Sequence, residues 1–256
     1  MQLVVPMAGA GSRFAEAGYH LPKPLIPVLG VPMVVRAVGN LPAGSRRVFV
    51  CHADHVRDFA IDRTLPRYFP GCRVVVAPSL TQGQACSVRL AGEHLHAQRS
   101  VLVAACDNTH LFNEERFEAL VADKSVDCLI WTYRHEPRVL VKPQAYGWVR
   151  ANDRGEVSEV SVKRAVSANP IDDHVVSGCF WFRTAELLME SIDQLVAANV
   201  RVNNEFYLDS VPNLLIAQGR RVLAFEVDKY IGWGTPEDLQ DYLRWRRHFD
   251  SVGRAA

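Results

Sequence analysis

Pro6-Met7-Ala8-Gly9-Ala10-Gly11-Ser12-Arg13-Phe14 follows directly on the apolar run Leu3-Val4-Val5, and this junction of a short strand with a small-residue loop decides the fold class. The small side chains of Ala8, Gly9, Ala10, Gly11 and Ser12 let backbone N–H groups approach phosphate oxygens, and Arg13 can hold an anion in a bidentate fork. Two common nucleotide loops are disfavoured: a dinucleotide-binding loop needs a third glycine where Phe14 stands, and the lysine of a P-loop is missing. Downstream, Val48-Phe49-Val50, Arg73-Val74-Val75-Val76, Val101-Leu102-Val103-Ala104 and Cys128-Leu129-Ile130-Trp131 repeat the apolar run. Segments with helical spacing lie between them, at Pro32 to Leu41, Asp54 to Leu65, Gln84 to His96 and Glu114 to Ala122. The alternation predicts an α/β fold with an open, mostly parallel sheet flanked by helices, and ligands beyond the carboxyl ends of its strands.

After about residue 135 the rhythm changes. Ala145 to Val149 and Val157 to Val162 alternate around Asn152-Asp153-Arg154-Gly155, which predicts a hairpin, and Val175 to Phe182 reads as a further strand before a helix from Ala185 to Asn199. These are antiparallel insertions in the C-terminal half. Thr235-Pro236-Glu237-Asp238 has the chemistry of a helix start and introduces a last helix over Leu239 to Phe249. The expected organisation is a single domain over 1–256, with 1–135 on the nucleotide side and 136–256 on the other.

The 256 residues are 48% hydrophobic and 22% charged, ordinary values for a globular chain able to bury a full core. Lys+Arg 29 against Asp+Glu 28 leaves a net charge of +1, so no global field would hold nucleic acid or an anionic membrane. The chain start lacks signal-peptide features and no apolar run approaches the roughly 20 residues that cross a bilayer, so a cytoplasmic location is expected. Cys51, Cys72, Cys86, Cys106, Cys128 and Cys179 are scattered without metal-ligand spacing, as buried free thiols would be.

A second basic segment, His20-Leu21-Pro22-Lys23-Pro24-Leu25, places Lys23 between two prolines that restrict its backbone and present its ammonium at low ordering cost. On a loop, Lys23 and Arg13 are each expected to be removable with little loss of stability. Together, G-x-G-x-R-F followed by P-K-P-L resembles the signature of the sugar-phosphate nucleotidylyltransferases, the NTP transferases or pyrophosphorylases. The resemblance implies a Rossmann-like sheet, a glycine loop around a triphosphate, and phosphate contacts from Arg13 and Lys23. It extends to Thr81-Gln82-Gly83-Gln84-Ala85, which implies that Gln82 and Gly83 touch base or ribose.

Val101 to Asn108 puts Asp107 where a buried strand ends, and a carboxylate there beside a triphosphate is suited to Mg²⁺. A turn-capping role is the alternative for an arbitrary aspartate of this kind. Relatives supply a second carboxylate from a motif resembling W-x-D-x-G-T, but here Tyr230-Ile231-Gly232-Trp233-Gly234-Thr235 has glycine at that aspartate. Asp228, or less well Glu226, is the candidate replacement, because residues two apart on a strand share a face. The resemblance further assigns acceptor binding to Gly147, Lys163, Gly178 and Glu205. It is strongest to small transferases of bacterial capsule and surface-polysaccharide clusters, including cytidylyltransferases. The implied partners are an NTP (CTP, UTP, dTTP or GTP) and a phosphorylated small molecule, such as a sugar phosphate, phosphocholine or phosphoglutamine. Assembly into a homo-oligomer is left open. The competing reading is a nucleotide-binding regulatory protein that kept the fold without turnover, favoured by Gly232 and opposed by the retained Arg13, Lys23 and Asp107.

Overall fold

Alternate residues of the first strand point to opposite faces of a sheet covered on both sides: Leu3, Val5 and Met7 enter one buried cluster and Val4 the other. The computed structural model describes residues 1–42, 44 and 46–252. The first half runs β1 (Gln2–Met7), α1 (Ser12–Glu16), β2 (Pro27–Val28), β3 (Val31–Pro32), α2 (Met33–Val38), β4 (Arg46–His52), α3 (Ala53–Phe59), α4 (Ile61–Tyr68) and β5 (Arg73–Ala77). It continues through α5 (Gln84–Arg89), β6 (Val101–Val103), β7 (Asn108–Leu111), α6 (Glu114–Ala122) and β8 (Cys128–Tyr133). The second half is β9 (Gly147–Ala151), β10 (Val157–Val162), β11 (His174–Phe182), α7 (Ala185–Ala197), α8 (Val211–Ala217), β12 (Val222–Glu226), β13 (Lys229–Gly232) and α9 (Pro236–Val252).

Strands from both halves join one nine-stranded sheet in the order β10-β9-β11-β6-β1-β4-β5, with β8 also on β11 and β12 on β8. The pairings β6-β1-β4-β5 and β8-β12 are parallel, whereas β11 runs antiparallel to its neighbours, so the α/β fold carries the expected antiparallel insertions. Helix α7 shows how packing fixes an element. Ala185, Leu188, Ile192 and Leu195 recur at helical spacing and are fully buried, each Leu or Ile contributing about 1.5–3 kcal/mol. Thr184 caps the start by accepting the Leu187 N–H at 3.1 Å. Among the described residues all six cysteines are free, and no helix is long and apolar enough to cross a membrane.

One expected helix, Asp54 to Leu65, is two. Ala60 adopts φ 50°, ψ 39° between α3 and α4, and the change of direction turns Ile61 and Leu65 into the core.

The sheet forks at β11. Phe180, Trp181 and Phe182 lie between β6 and β8, while His174 and Val175 pair with β9 instead of β6. Gly178 sits at the fork with φ +91°, and a Cβ there would approach Ala105 Cβ to 3.2 Å. The chain leaving β6 therefore passes over Gly178, and Asn108 anchors it by donating to the Ser177 carbonyl at 2.9 Å. Asp107 lies on this passing segment.

A third, smaller buried cluster joins the chain's two ends. Phe14, Ile26 and Met33 from the N-terminal segment pack with Trp233 and Leu239.

Candidate active site

Gly11 is in the left-handed region at φ +61°, and a Cβ on it would touch Lys23 Cβ at 3.4 Å. The glycine loop and the proline-flanked lysine are thus packed against each other. Gly9 is different, because a Cβ there would meet no atom of the chain within 4 Å.

Lys23 Nζ donates to Asp107 Oδ2 in a close ion pair. The two side chains are only 17% and 21% exposed, so the pair is not a solvated surface contact. Burial alone would lower the Lys23 pKa, but the Asp107 carboxylate overcomes it and holds the pKa raised. Burial would likewise raise Asp107, yet Lys23, with help from Arg13, holds its carboxyl below the usual range. Both groups are charged at neutral pH. The expectation that Lys23 is a dispensable loop charge is corrected: its removal would leave a buried carboxylate unpaired.

Three connected cavities surround this pair. The central one, about 350 Å³, is lined by Gly9, Gly11, Ser12, Arg13, Lys23 and Asp107. It shares Pro6, Gly9, Ala10 and Gln84 with a second of about 320 Å³, which adds Thr81, Gly83, Ser87 and Glu205. It shares Arg13, Asp107 and Gly234 with a third of about 520 Å³, whose wall includes Tyr133, Glu136, Arg138, Tyr146, Tyr230 and Asp238. Arg13 and Asp107 thus stand at the junction of the central and third spaces.

Several expected contacts fall elsewhere. Gly83 lines the second cavity and must be glycine, since at φ +125° its Cβ would lie 2.6 Å from the Phe206 backbone. Gln82 turns away, its side-chain oxygen accepting from Arg201 while its carbonyl accepts the Phe206 N–H at 2.8 Å. Gln84, Thr81 and Ser87 line the space instead. Glu205, expected on the acceptor side, lies in the same second cavity, because the Asn203 to Phe206 segment backs the Gln82-Gly83 turn. Gly178 lies beneath the segment carrying Asp107, against Ala105 and Asn108.

Gly147 and Lys163 do come together, around a residue that the sequence reading missed. A Cβ on Gly147 would lie 2.2 Å from Asp209 Oδ2, so the glycine makes room for this carboxylate. Burial raises Asp209 to about 6, against the opposing effect of Lys163, and burial lowers Lys163 despite Asp209. Lys163 Nζ donates to the Ala145 carbonyl at 2.6 Å, and its backbone takes φ 65°. Asp209 sits in a short turn between Tyr207 and α8, with no periodicity to mark it in the sequence.

Asp228 is not brought to Asp107. In the β13-β7 ribbon Gly232 faces Asn108 and Lys229 faces Leu111, which puts Asp228 roughly 13 Å along the strand from Gly232 at about 3.3 Å per residue. It is exposed in the turn after β12. Glu226 is engaged elsewhere, accepting from Arg134 at 2.9 and 2.8 Å beside a separate cavity of about 580 Å³. The two-residue rule failed because β12 and β13 are different strands in different sheets. Among the described residues no group of three or more His, Cys, Asp or Glu side chains could hold a metal. Asp107 is the carboxylate that lines the cavity beside the glycine loop, and a single carboxylate suffices only for an ion that keeps water and ligand phosphates in its shell.

A family model described as the MobA-like NTP transferase domain matches residues 3–199. The chain belongs to the MobA-like NTP transferase family. Among curated relatives of this NTP transferase, the bifunctional protein GlmU of Bacillus licheniformis is 28% identical over 228 residues, 87% of this chain and 46% of that protein. The chain therefore spans about half the length of the curated relatives it matches. Among solved structures, the nucleoside-diphosphate-sugar pyrophosphorylase of Vibrio cholerae RC9 superposes with TM-score 0.76 at 21% identity, over 94% of this chain and 99% of that one. The inositol-1-phosphate CTP transferase of T. maritima gives 0.70 at 16%, over 93% and 90%. At these identities the two structures show that the NTP transferase fold is shared.

Proposed function

We propose that this NTP transferase joins the NMP part of an NTP to a phosphorylated small molecule and releases pyrophosphate. The observation that carries the reading is the meeting of two spaces at Arg13 and Asp107, beside Lys23 in the central one, with a third space extending from the glycine loop. A base and ribose fit the Thr81 to Ser87 side, the triphosphate the glycine loop, and the acceptor the tyrosine-lined side. Gly9 supports this placement: its missing side chain leaves space that the chain itself does not fill.

In the proposed reaction an acceptor phosphate oxygen attacks the α-phosphorus in line, the new P–O bond forms, and the bond to the β-phosphate oxygen breaks. The nucleophile is already anionic near neutral pH, so no general base is needed, and positioning and charge neutralisation carry the rate. Arg13, exposed at the start of α1, is free to fold its guanidinium onto a phosphate. Lys23 exchanges the Asp107 oxygen for a phosphate oxygen when the triphosphate binds, which keeps its charge neutralised and releases the carboxylate. Mg²⁺ bound through Asp107 would offset the charge of the phosphates during transfer. Capsule or surface-polysaccharide precursor synthesis is the role we infer for the product.

The test is pyrophosphate release by the purified protein with Mg²⁺, across CTP, UTP, dTTP and GTP against sugar 1-phosphates, phosphocholine and phosphoglutamine. At least one pair is expected to turn over steadily. Nucleotide binding without pyrophosphate release in any pair would instead support the regulatory reading.

A further inference from the structure

Tyr230 stands in β13 on the wall of the tyrosine-lined cavity, which Asp107 and Arg13 also line. Its ring stacks on Tyr133 with centroids 4.2 Å apart and planes 9° apart. It also folds over Gly232, where a Cβ would lie 2.7 Å from the Tyr230 hydroxyl oxygen and ring edge. Residues two apart on a strand share a face, so the ring and any side chain at 232 compete for one space. The glycine at 232 thus has a reason within the chain: it accommodates Tyr230.

The Tyr230 hydroxyl makes no hydrogen bond to another described residue. The residue is half-buried and lines a cavity large enough for a ligand, about 520 Å³, so its hydroxyl is left to a partner from outside the chain. Burial, reinforced by Tyr133 and Asp107, raises its pKa well above the ordinary value, so the group remains a neutral O–H donor. The carboxylates already on this wall, Glu136 and Asp238, are paired with Arg138, and a further one at 232 would repel an incoming anion beside Asp107. A neutral donor would attract it.

We propose that the Tyr230 hydroxyl donates a hydrogen bond to a phosphate oxygen of the acceptor, which makes Tyr230 a substrate-binding residue and Tyr230 with Gly232 a single functional unit. The inference rests on the nucleotidyl-transfer reading above and assigns the acceptor phosphate to the space between Tyr230, Arg13 and Asp107.

Tyr230→Phe retains the ring and its stack on Tyr133 and removes only the donor. Its kcat/KM for the acceptor is expected to fall about tenfold to a hundredfold, the range of a hydrogen bond to a charged group, with the NTP KM and the Tm near wild type. Gly232→Ala displaces the ring and is expected to weaken acceptor use in the same direction. A parallel measurement without turnover uses inorganic phosphate with Mg²⁺ as the probe, titrated by calorimetry into wild type and Tyr230→Phe, with weaker binding expected in the variant. Wild-type turnover with unchanged acceptor kinetics in Tyr230→Phe overturns the donor role and leaves nucleotidyl transfer standing. No wild-type turnover, but weaker phosphate binding in the variant, overturns nucleotidyl transfer and supports the donor role. Unchanged phosphate binding in the absence of any turnover overturns both.

Discussion

Asp209→Asn tests the buried carboxylate behind Gly147 because the substitution preserves shape and removes ionisation. The folded-state pKa of Asp209 is raised from 3.8 to about 6. A group whose folded pKa is raised contributes stability that is fully present below its unfolded pKa and is lost as pH rises through the folded value. Wild type therefore loses stability through this group between about pH 4 and pH 6, then levels off. At about 1.4 kcal/mol per unit, the loss amounts to about 3 kcal/mol. The asparagine variant has no carboxylate to ionise, so its stability relative to wild type should rise by up to that amount across the window. The value of about 6 already includes the opposing effect of Lys163. Urea unfolding followed by tryptophan fluorescence at half-unit intervals from pH 4 to pH 8 gives the difference directly. A difference independent of pH would refute the reasoning, because it would mean that Asp209 ionises alike in the folded and unfolded chain.

The phosphate groups give further expectations. Arg13→Ala should leave Tm nearly unchanged, since the side chain is exposed, while kcat/KM falls about a hundredfold or more, as for loss of a charge-stabilising donor; wild-type kinetics would remove Arg13 from the site. Lys23→Ala should lower both activity and stability, the latter by about 3 kcal/mol or more, because it strands Asp107; a chemical-denaturation midpoint equal to wild type would show that the pair is solvated. Asp107→Asn is expected to abolish most Mg²⁺- or Mn²⁺-dependent turnover, and full activity across a metal titration would move the ion to another ligand. Asp228→Asn should show the Mg²⁺ dependence of wild type, as its place at the far end of the ribbon requires; a raised metal requirement would contradict that geometry.

What could be read in the sequence was what neighbouring residues determine. The strand before the glycine loop and the position of Asp107 beyond β6 each follow from short motifs and periodic burial. The acceptor side was less legible because its geometry depends on pairings between distant segments. Asp209 reaches the Gly147 strand only through the turn before α8, and Tyr230 reaches Asp107's cavity only because β13 leaves the main sheet to pair with β7. Glu205 and Gln82 belonged to recognisable segments, yet the Glu205 side chain is engaged by Tyr207 and that of Gln82 by Arg201. Sequence spacing carries no information about such partners.

The small cluster of Phe14, Ile26 and Met33 with Trp233 and Leu239 imposes an order on assembly. The glycine loop leaves a ribosome well ahead of the residues that cover its supporting side, which emerge more than two hundred positions later, after roughly 10–45 s of synthesis at 5–20 residues per second. During that interval Phe14 and Ile26 lack their lids. A nascent chain can build much of its sheet while the packing beneath the glycine loop is still unfinished, so that loop gains its full support only once Trp233 and Leu239 have been made.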